Sequence, residues 1–271
     1  MYEKYLEILR RDLPLGESFD ILERKFRIGG RKASMFFTDG LTNGQNAQFV
    51  LNYLLSIKKA DMDEIKDSKQ FLEEKLPFLD SNVIDPKTGP EEDREDASKW
   101  SKSMIEDCCR QAEQKMYSGL TLLTVEGMNK LFFMDMRNYP SRSVDEPEKE
   151  KSLRGAKDGF TENMMENISL IRRRIRDNNL IAAYYPVGTI SKTDVVVAYM
   201  KDKVNKDLLA KLDREIKNLD AESLTVGDQS LLERLLKSMG AYNKLNPFPR
   251  VRYSQRPDII AAHITEGKIA I

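Results

Sequence analysis

Reactive and ligating side chains are scarce in this sequence, with two cysteines, one histidine and one tryptophan among 271 residues. The cysteines are neighbours, Cys108 and Cys109. Adjacent cysteines close a disulfide only through a strained ring, and there is no second pair to build a framework. They read as two thiols on a helix in a reducing compartment, one turned inward and one near the helix edge. His263, the lone histidine, has no ligand cluster beside it and no nucleophile to serve, which leaves it a partly buried structural or capping role. No Walker loop and no Gly-x-Gly-x-x-Gly follows a strand, and no Ser or Cys stands in a nucleophile signature. An enzyme is therefore not expected, nor a cofactor or a metal centre.

A surplus of one charge is missing as well. Lys plus Arg number 44 and Asp plus Glu number 44, so nothing draws the whole chain to nucleic acid or anionic lipid. No run approaches the roughly 18 apolar residues of a membrane span. The opening Met1-Tyr-Glu-Lys-Tyr starts an amphipathic, charged stretch rather than a signal peptide.

What is present fits two α/β lobes. The length exceeds one ordinary domain of about 100–200 residues, and 40% hydrophobic residues suffice for packed cores. The first lobe, 1–136, opens with a short helix over 1–12, striped by Tyr2, Tyr5, Leu6 and Leu9. A hairpin follows, turning at Gly29-Gly30. Asn43 or Thr42 caps a helix carrying Ala47, Val50, Leu51, Leu54 and Leu55, and another helical piece lies around 67–76. Residues 80–97 are rich in Pro, Gly, Asp and Glu and read as a mobile, solvated acidic loop. Trp100, Met104, Cys108, Ala112 and Met116 recur every four residues, as on a helix. Two apolar strands then flank Glu126-Gly127.

From 137 to 158 apolar periodicity vanishes around Pro140 and Pro147, which is the composition of a semi-rigid linker. The second lobe, 159–271, starts with a helix marked by Phe160, Met164, Ile168, Ile171 and Ile175. Strands are expected at 180–187 and 193–200, the second with a β-branched Val195-Val-Val run. Helices are expected around Leu208–Ile216, around Leu231–Leu236, and from Pro257, where proline in the first turn costs no hydrogen bond. The final Gly267-Lys-Ile-Ala-Ile has strand character and no polar tail, so the chain reads as part of a longer protein.

Arg172-Arg-Arg-Ile-Arg is the densest basic run. Successive helical residues turn by about 100°, so three arginines fan around the circumference and cannot form one flat nucleic-acid stripe. Two readings stay open: a solvated face with favourable charge at a helix C-terminus, or at least one guanidinium paired with a linker carboxylate.

Several stretches carry a family resemblance. Tyr139-Pro-Ser-Arg-Ser-Val-Asp-Glu-Pro-Glu, Arg154-Gly-Ala-Lys-Asp-Gly-Phe-Thr-Glu, Asn167 and Leu170-Ile-Arg-Arg-Arg-Ile resemble the signature of the GerA family of spore germination A-subunits. Ser191-Lys-Thr-Asp-Val-Val-Val-Ala-Tyr and Asn246-Pro-Phe-Pro-Arg-Val-Arg-Tyr-Ser-Gln-Arg-Pro-Asp look most like that family's stage V sporulation AF branch. Glu266-Gly-Lys-Ile-Ala-Ile is similar to the family's strand before its membrane helices. The likeness is strongest from about 137 onward, and 1–135 fit only in layout. Ala156 stands where many members carry proline, which touches only the stiffness of that turn.

The resemblance implies two lobes akin to solute-binding proteins, on the cytosolic, core side of the spore inner membrane. It implies a missing membrane part that forms an oligomeric ion channel with its own copies, beside a transporter-like B-type subunit. Arg142, Glu146, Arg154, Asp158 and Glu162 are then expected in an inter-lobe polar network, with Arg172, Arg173 and Arg174 as its other half. An assembly and gating module is the first reading. The alternative is a sensing module, with a small-molecule germinant in the cleft between lobes.

Overall fold

The computed structural model describes residues 1–77, 81–90, 93, 96–138, 158–188, 192–218, 231–232, 235–237 and 251–271. The chain divides into two compact units, Met1–Ser141 with Arg176–Asn178, and Arg142–Ile175 with Asn179–Ile271. Both are mixed α/β with antiparallel strands.

The first unit is built on a five-stranded sheet of order β1-β2-β4-β5-β3, every neighbour antiparallel. Its strands are β1 (Ile21–Ile28), β2 (Arg31–Thr38), β3 (Ser81–Ile84), β4 (Thr121–Val125) and β5 (Leu131–Met134). The β1–β2 turn is two residues long, Gly29 and Gly30, with φ of 53° and 88°. Two consecutive left-handed residues match the twist of a tight hairpin, and glycine enters that region without steric cost. Gly29 is also crowded, since a Cβ there would run into the Met62 side chain.

Helices cover both faces of this sheet. On one side α1 (Tyr2–Asp12) and α5 (Lys102–Tyr117) bury Tyr5, Leu9, Ile105 and Cys108 against Phe36, Leu122 and Leu131. On the other lie α2 (Gly44–Ser56), α3 (Lys59–Asp63) and α4 (Ser68–Lys75), whose Val50, Leu54, Met62 and Phe71 meet Met35, Leu123, Val125 and Phe132. Successive residues of a strand point to opposite faces, so Leu122 and Leu123 serve different cores. Caps fix where the helices begin: Asn43 accepts from the Gln45 and Asn46 N–H groups, and Asp67 from those of Lys69 and Gln70.

Two expectations fail here. The stretch read as an acidic loop contains β3, and its described part is tied down rather than loose. Lys87 N–H donates to Asp107 at 2.7 Å, Gln111 Nε2 donates to the Asp85 carbonyl, Lys130 pairs with Asp85 at 2.6 Å, and Trp100 Nε1 donates to the Asp93 carbonyl. A four-residue strand is too short to show alternation. Cys109, expected near a helix edge, is as fully buried as Cys108. The helix α5 is packed on two sides, by the sheet and by α1, so a wider arc of it is hidden than one apolar stripe predicts.

The second unit holds α6 (Met164–Arg172), the hairpin of β6 (Leu180–Val187) and β7 (Thr193–Met200), α7 (Lys206–Lys217) and α8 (Pro257–Thr265). Val187, Val195 and Val197 share a core with Leu212, Ile216, Leu231 and Leu235. Pro257 stands in the first turn of α8. That helix ends in a Schellman turn: Gly267, at φ 90°, donates to the Ile264 carbonyl and Lys268 N–H to that of His263. Beyond it the expected strand reduces to one bridge, in which Ala270 and Ala198 exchange both main-chain hydrogen bonds at 2.8 and 2.9 Å.

Two predictions come from the buried groups of α5. Burial, and then the neighbouring Asp107 charge, pushes the Cys108 thiol up to about 12; burial and then Glu113 also raise Cys109. Thiolate is the reactive form, so a disulfide reagent at pH 8 should label neither cysteine until the protein is unfolded. Labelling of the native protein at the rate of an exposed thiol contradicts the packing. Glu113 is buried and accepts from Asn178 Nδ2 at 2.7 Å. Burial lifts its carboxyl above the usual range, with the Asn178 hydrogen bond opposing. An acid raised in the folded state favours folding fully below its unfolded pKa, and the contribution is lost as pH rises through the folded pKa. Glu113→Gln keeps an acceptor for Asn178, so its advantage over the parent in urea unfolding should grow from pH 4 to pH 7. An equal difference at both pH values refutes the assignment.

Candidate functional site: the polar cradle of α6

The residues that carry the family-like signature converge, where they are described, on the entry and exit of α6. The chain enters through Asp158, Gly159, Phe160 and Thr161. Phe160 N–H donates to the Gln255 carbonyl at 2.9 Å, tying the entry to the segment before α8. The Asn167 amide grips the main chain of Thr161 from both sides: Oδ1 accepts its N–H at 2.7 Å and Nδ2 donates to its carbonyl at 2.6 Å. An asparagine amide offers one acceptor and two donors, so a single side chain replaces a pair of strand-like hydrogen bonds. Thr161 Oγ1 donates to Glu166 at 3.1 Å and accepts the Asn163 N–H at 3.2 Å. Asn163 in turn caps α6 by accepting from Met165 and Glu166 N–H. The polar groups at this helix start are thus used locally to fix the path of the chain.

The three arginines at the other end have three different fates. Arg172 is fully buried, at 0% exposure, and its Nη1 donates to the Leu180 carbonyl at 3.1 Å. A wholly solvated arginine run is therefore excluded. Arg173 is exposed. Arg174 turns back along α6: Nη1 donates to the Leu170 carbonyl at 2.8 Å, and Nη2 to both Asp158 oxygens at 2.7 and 2.6 Å. The pair is partly buried, so water screens it only in part. Arg174 and Asp158 thereby join the two ends of the Asp158–Arg174 stretch.

Of the expected network, Asp158 and Arg174 are joined, both inside the second unit. Glu162 is exposed. Arg142, Glu146 and Arg154 lie outside the described residues. The N-cap at Asn163 was missed in the sequence, although an Asn just before the periodic Met164 is a standard helix-start signal. The grip of Asn167 on Thr161, six residues away, had no such signal, because it depends on the fold of the intervening turn.

His263 lies on α8 with Arg252 Nη1 at 3.1 Å from Nε2, and with Lys268 Nζ at 3.1 Å and Glu266 at 3.3 Å from Nδ1. Among the described residues no three His, Cys, Asp or Glu side chains are grouped to share a metal ion. No described helix is long and apolar enough to cross a membrane.

The stability of the cradle should follow its burial. Arg172→Ala leaves a cavity and an unpaired carbonyl and should cost about 3 kcal/mol. Arg174→Ala removes a part-screened charged pair and should cost about 1–2 kcal/mol, and Arg173→Ala should change stability by less than about 0.5 kcal/mol. Urea unfolding of the three variants tests the ranking, and equal costs at 172 and 173 would refute it.

The family described as Bacillus/Clostridium GerA spore germination protein matches residues 9–271. Stage V sporulation protein AF of Bacillus subtilis is 33% identical over 98% of this chain and 48% of its own length. Spore germination protein KA of the same organism is 24% identical over 95% of this chain and 42% of its own. The chain thus spans about half the length of the curated relatives it matches. In fold, it is similar to the crystal structure of the N-terminal domain of the A subunit of the Bacillus megaterium spore germinant receptor GerK3, with a TM-score of 0.62 and 23% identity over 97% of this chain and 87% of that one. With nearly its whole length matched, the chain belongs to the GerA family of spore germination proteins.

Proposed function

We propose that the chain is the assembly and gating module of a spore germination protein whose remaining half forms an oligomeric ion channel in the spore inner membrane. In this reading the module faces the spore core, and a transporter-like B-type subunit and further copies of the protein are its partners. The relatives support the setting. They are named as spore germination and sporulation proteins, and another, YfkQ of Bacillus subtilis, is named as a membrane protein. About half of each relative's length lies outside the matched part, which leaves room for a membrane region.

The observation that carries the gating role is the Asp158–Arg174 pair at the end of the expected linker. With the Asn167 grip on Thr161 it makes the entry to α6 a defined joint rather than a loose tether. A defined joint transmits displacement, because movement on one side cannot be absorbed locally. The groups in the cradle serve the main chain and one another, an arrangement of structural support.

A sensing role has one specific support, the naming of GerK3 as a germinant receptor. Calorimetry separates the two: saturable heat with candidate germinants or dipicolinate favours sensing, and its absence favours gating. For the gating role, Asp158→Asn in the full-length protein should slow germination several-fold while the amount of protein in the spore membrane stays normal. Unchanged germination speed, with the Arg174 pair lost, removes the support for coupling through this joint.

A further inference from the structure

Among the described residues, the sheet of the second unit is one hairpin, β6 with β7, and its two edges differ. Ala198 of β7 exchanges both of its main-chain hydrogen bonds with Ala270, at 2.8 and 2.9 Å. The N–H and C=O of a strand residue point to one side, and alternate residues share that side. Ala198, Val196 and Asp194 therefore all direct their main-chain groups away from β6. Ala270 meets those of Ala198, while those of Val196 and Asp194 have no partner among the described residues. On β6 the register Ala182↔Ala198 sends Leu180 and Pro186 outward by the same alternation. That edge is closed at both ends, since Arg172 occupies the Leu180 carbonyl and proline has no N–H to offer.

The Ala198–Ala270 bridge is antiparallel, so each step past Ala270 moves one step back along β7. The first residue after Ile271 then stands opposite Val196, and the third opposite Asp194. In the other direction the edge is used up, because the Met200 carbonyl accepts from the N–H groups of Lys203 and Val204. Ile269 already packs on the core of Val195 and Val197, and the two-residue period of a strand puts Ile271 on the same side.

We infer that the residues following Ile271 in the full-length protein continue as a third strand on β7, paired in register with Val196 and Asp194. Tethering selects this occupant. A strand joined to Ala270 reaches the edge as part of its own chain, at an effective concentration that a free peptide or a second copy does not match. A row of unpaired N–H and C=O groups accepts such a strand through main-chain bonds, whatever its side chains. The pairing gives the gating module its attachment, and it rests on that reading only in that the chain continues past Ile271. Relatives run to about twice this chain's length. A chain leaving along β7 pulls on the hairpin, which begins at the Leu180 carbonyl held by Arg172 of α6. From Ala198 to Asp194 the strip of main-chain bonds is about 14 Å long, at about 3.4 Å per residue.

Amide hydrogen exchange of the full-length protein, read residue by residue, tests the pairing. The Val196 and Asp194 amides should be protected to within about ten-fold of Val195 and Val197, whose main-chain groups face β6. Inserting Pro-Gly-Pro-Gly directly after Ile271 puts a residue without an N–H opposite both Val196 and Asp194. The two amides should then exchange at least about ten-fold faster, with Val195 and Val197 unchanged as the sign that the hairpin is intact. Exchange of Val196 at the rate of an unstructured amide in the parent protein overturns the inference and leaves the gating reading standing. Protection that survives the insertion overturns it too, because a second copy or another protein then covers the edge. A full-length protein without apolar spans after Ile271 overturns the gating reading alone, since Val196 still reports the strand.

Discussion

The strand β4 has no residue in contact with solvent. All five positions from Thr121 to Val125 are buried, and most of the first unit's layout follows from that. Successive side chains of a strand point to opposite faces, so a fully buried strand needs cover above and below. Antiparallel sheets commonly leave one face wet; this one has α1 and α5 on one side and α2, α3 and α4 on the other. Both cores draw on the same three inner strands, β2, β4 and β5. The sheet then grows outward until burial is no longer needed. At one edge β3 stops after four residues, and at the other β1 presents Arg24, Lys25 and Arg27 to solvent, charges that discourage a further strand from pairing.

This constraint explains which parts of the fold were legible. The helices α1, α2, α5 and α7 and the hairpins β1–β2, β4–β5 and β6–β7 stand close to where periodicity, caps and glycine turns put them, because each of those signals is local. What escaped was set by neighbours far along the chain. Four residues inside an acidic stretch become β3 only because β5 offers an edge, with Val83 opposite Phe132 and Ile84 opposite Leu131. Cys109 is buried because α1 lies across α5, which no stripe on α5 alone reveals. Of the candidate site, Asp158, Asn167 and the arginine run were visible as a signature. Their division of labour was not, since burying Arg172 while leaving Arg173 exposed depends on where β6 passes.

The second unit handles polar burial by another rule. A buried guanidinium is costly unless its donors are satisfied, and Arg172 meets a carbonyl at the start of β6. Arg174, two residues on, satisfies a carbonyl of its own helix and the carboxylate of Asp158. One short basic segment therefore fastens α6 to the strand that follows it and to the chain that precedes it. The Asn167 amide does the same for Thr161 without charge. Hydrogen bonds to charged groups are stronger and shorter than neutral ones, and they stand here at the two ends of the segment, where the chain leaves regular structure.

That placement bears on how a GerA-family chain can be recognisable through a stretch of polar residues. Apolar positions in a core tolerate exchange among residues of similar volume, so a core specifies shape without specifying a spelled sequence. A side chain that must donate to one named carbonyl, or accept from one named N–H, has few substitutes: lysine lacks the fork of arginine, and glutamine is one methylene too long for the grip of Asn167 on Thr161. A polar cradle that fixes main-chain geometry is thus written in specific letters, and a core is written in classes. Of the signature residues, Asp158, Thr161, Asn167, Arg172 and Arg174 each meet a particular main-chain or side-chain group. The geometry of the joint around α6 is a sufficient physical reason for each.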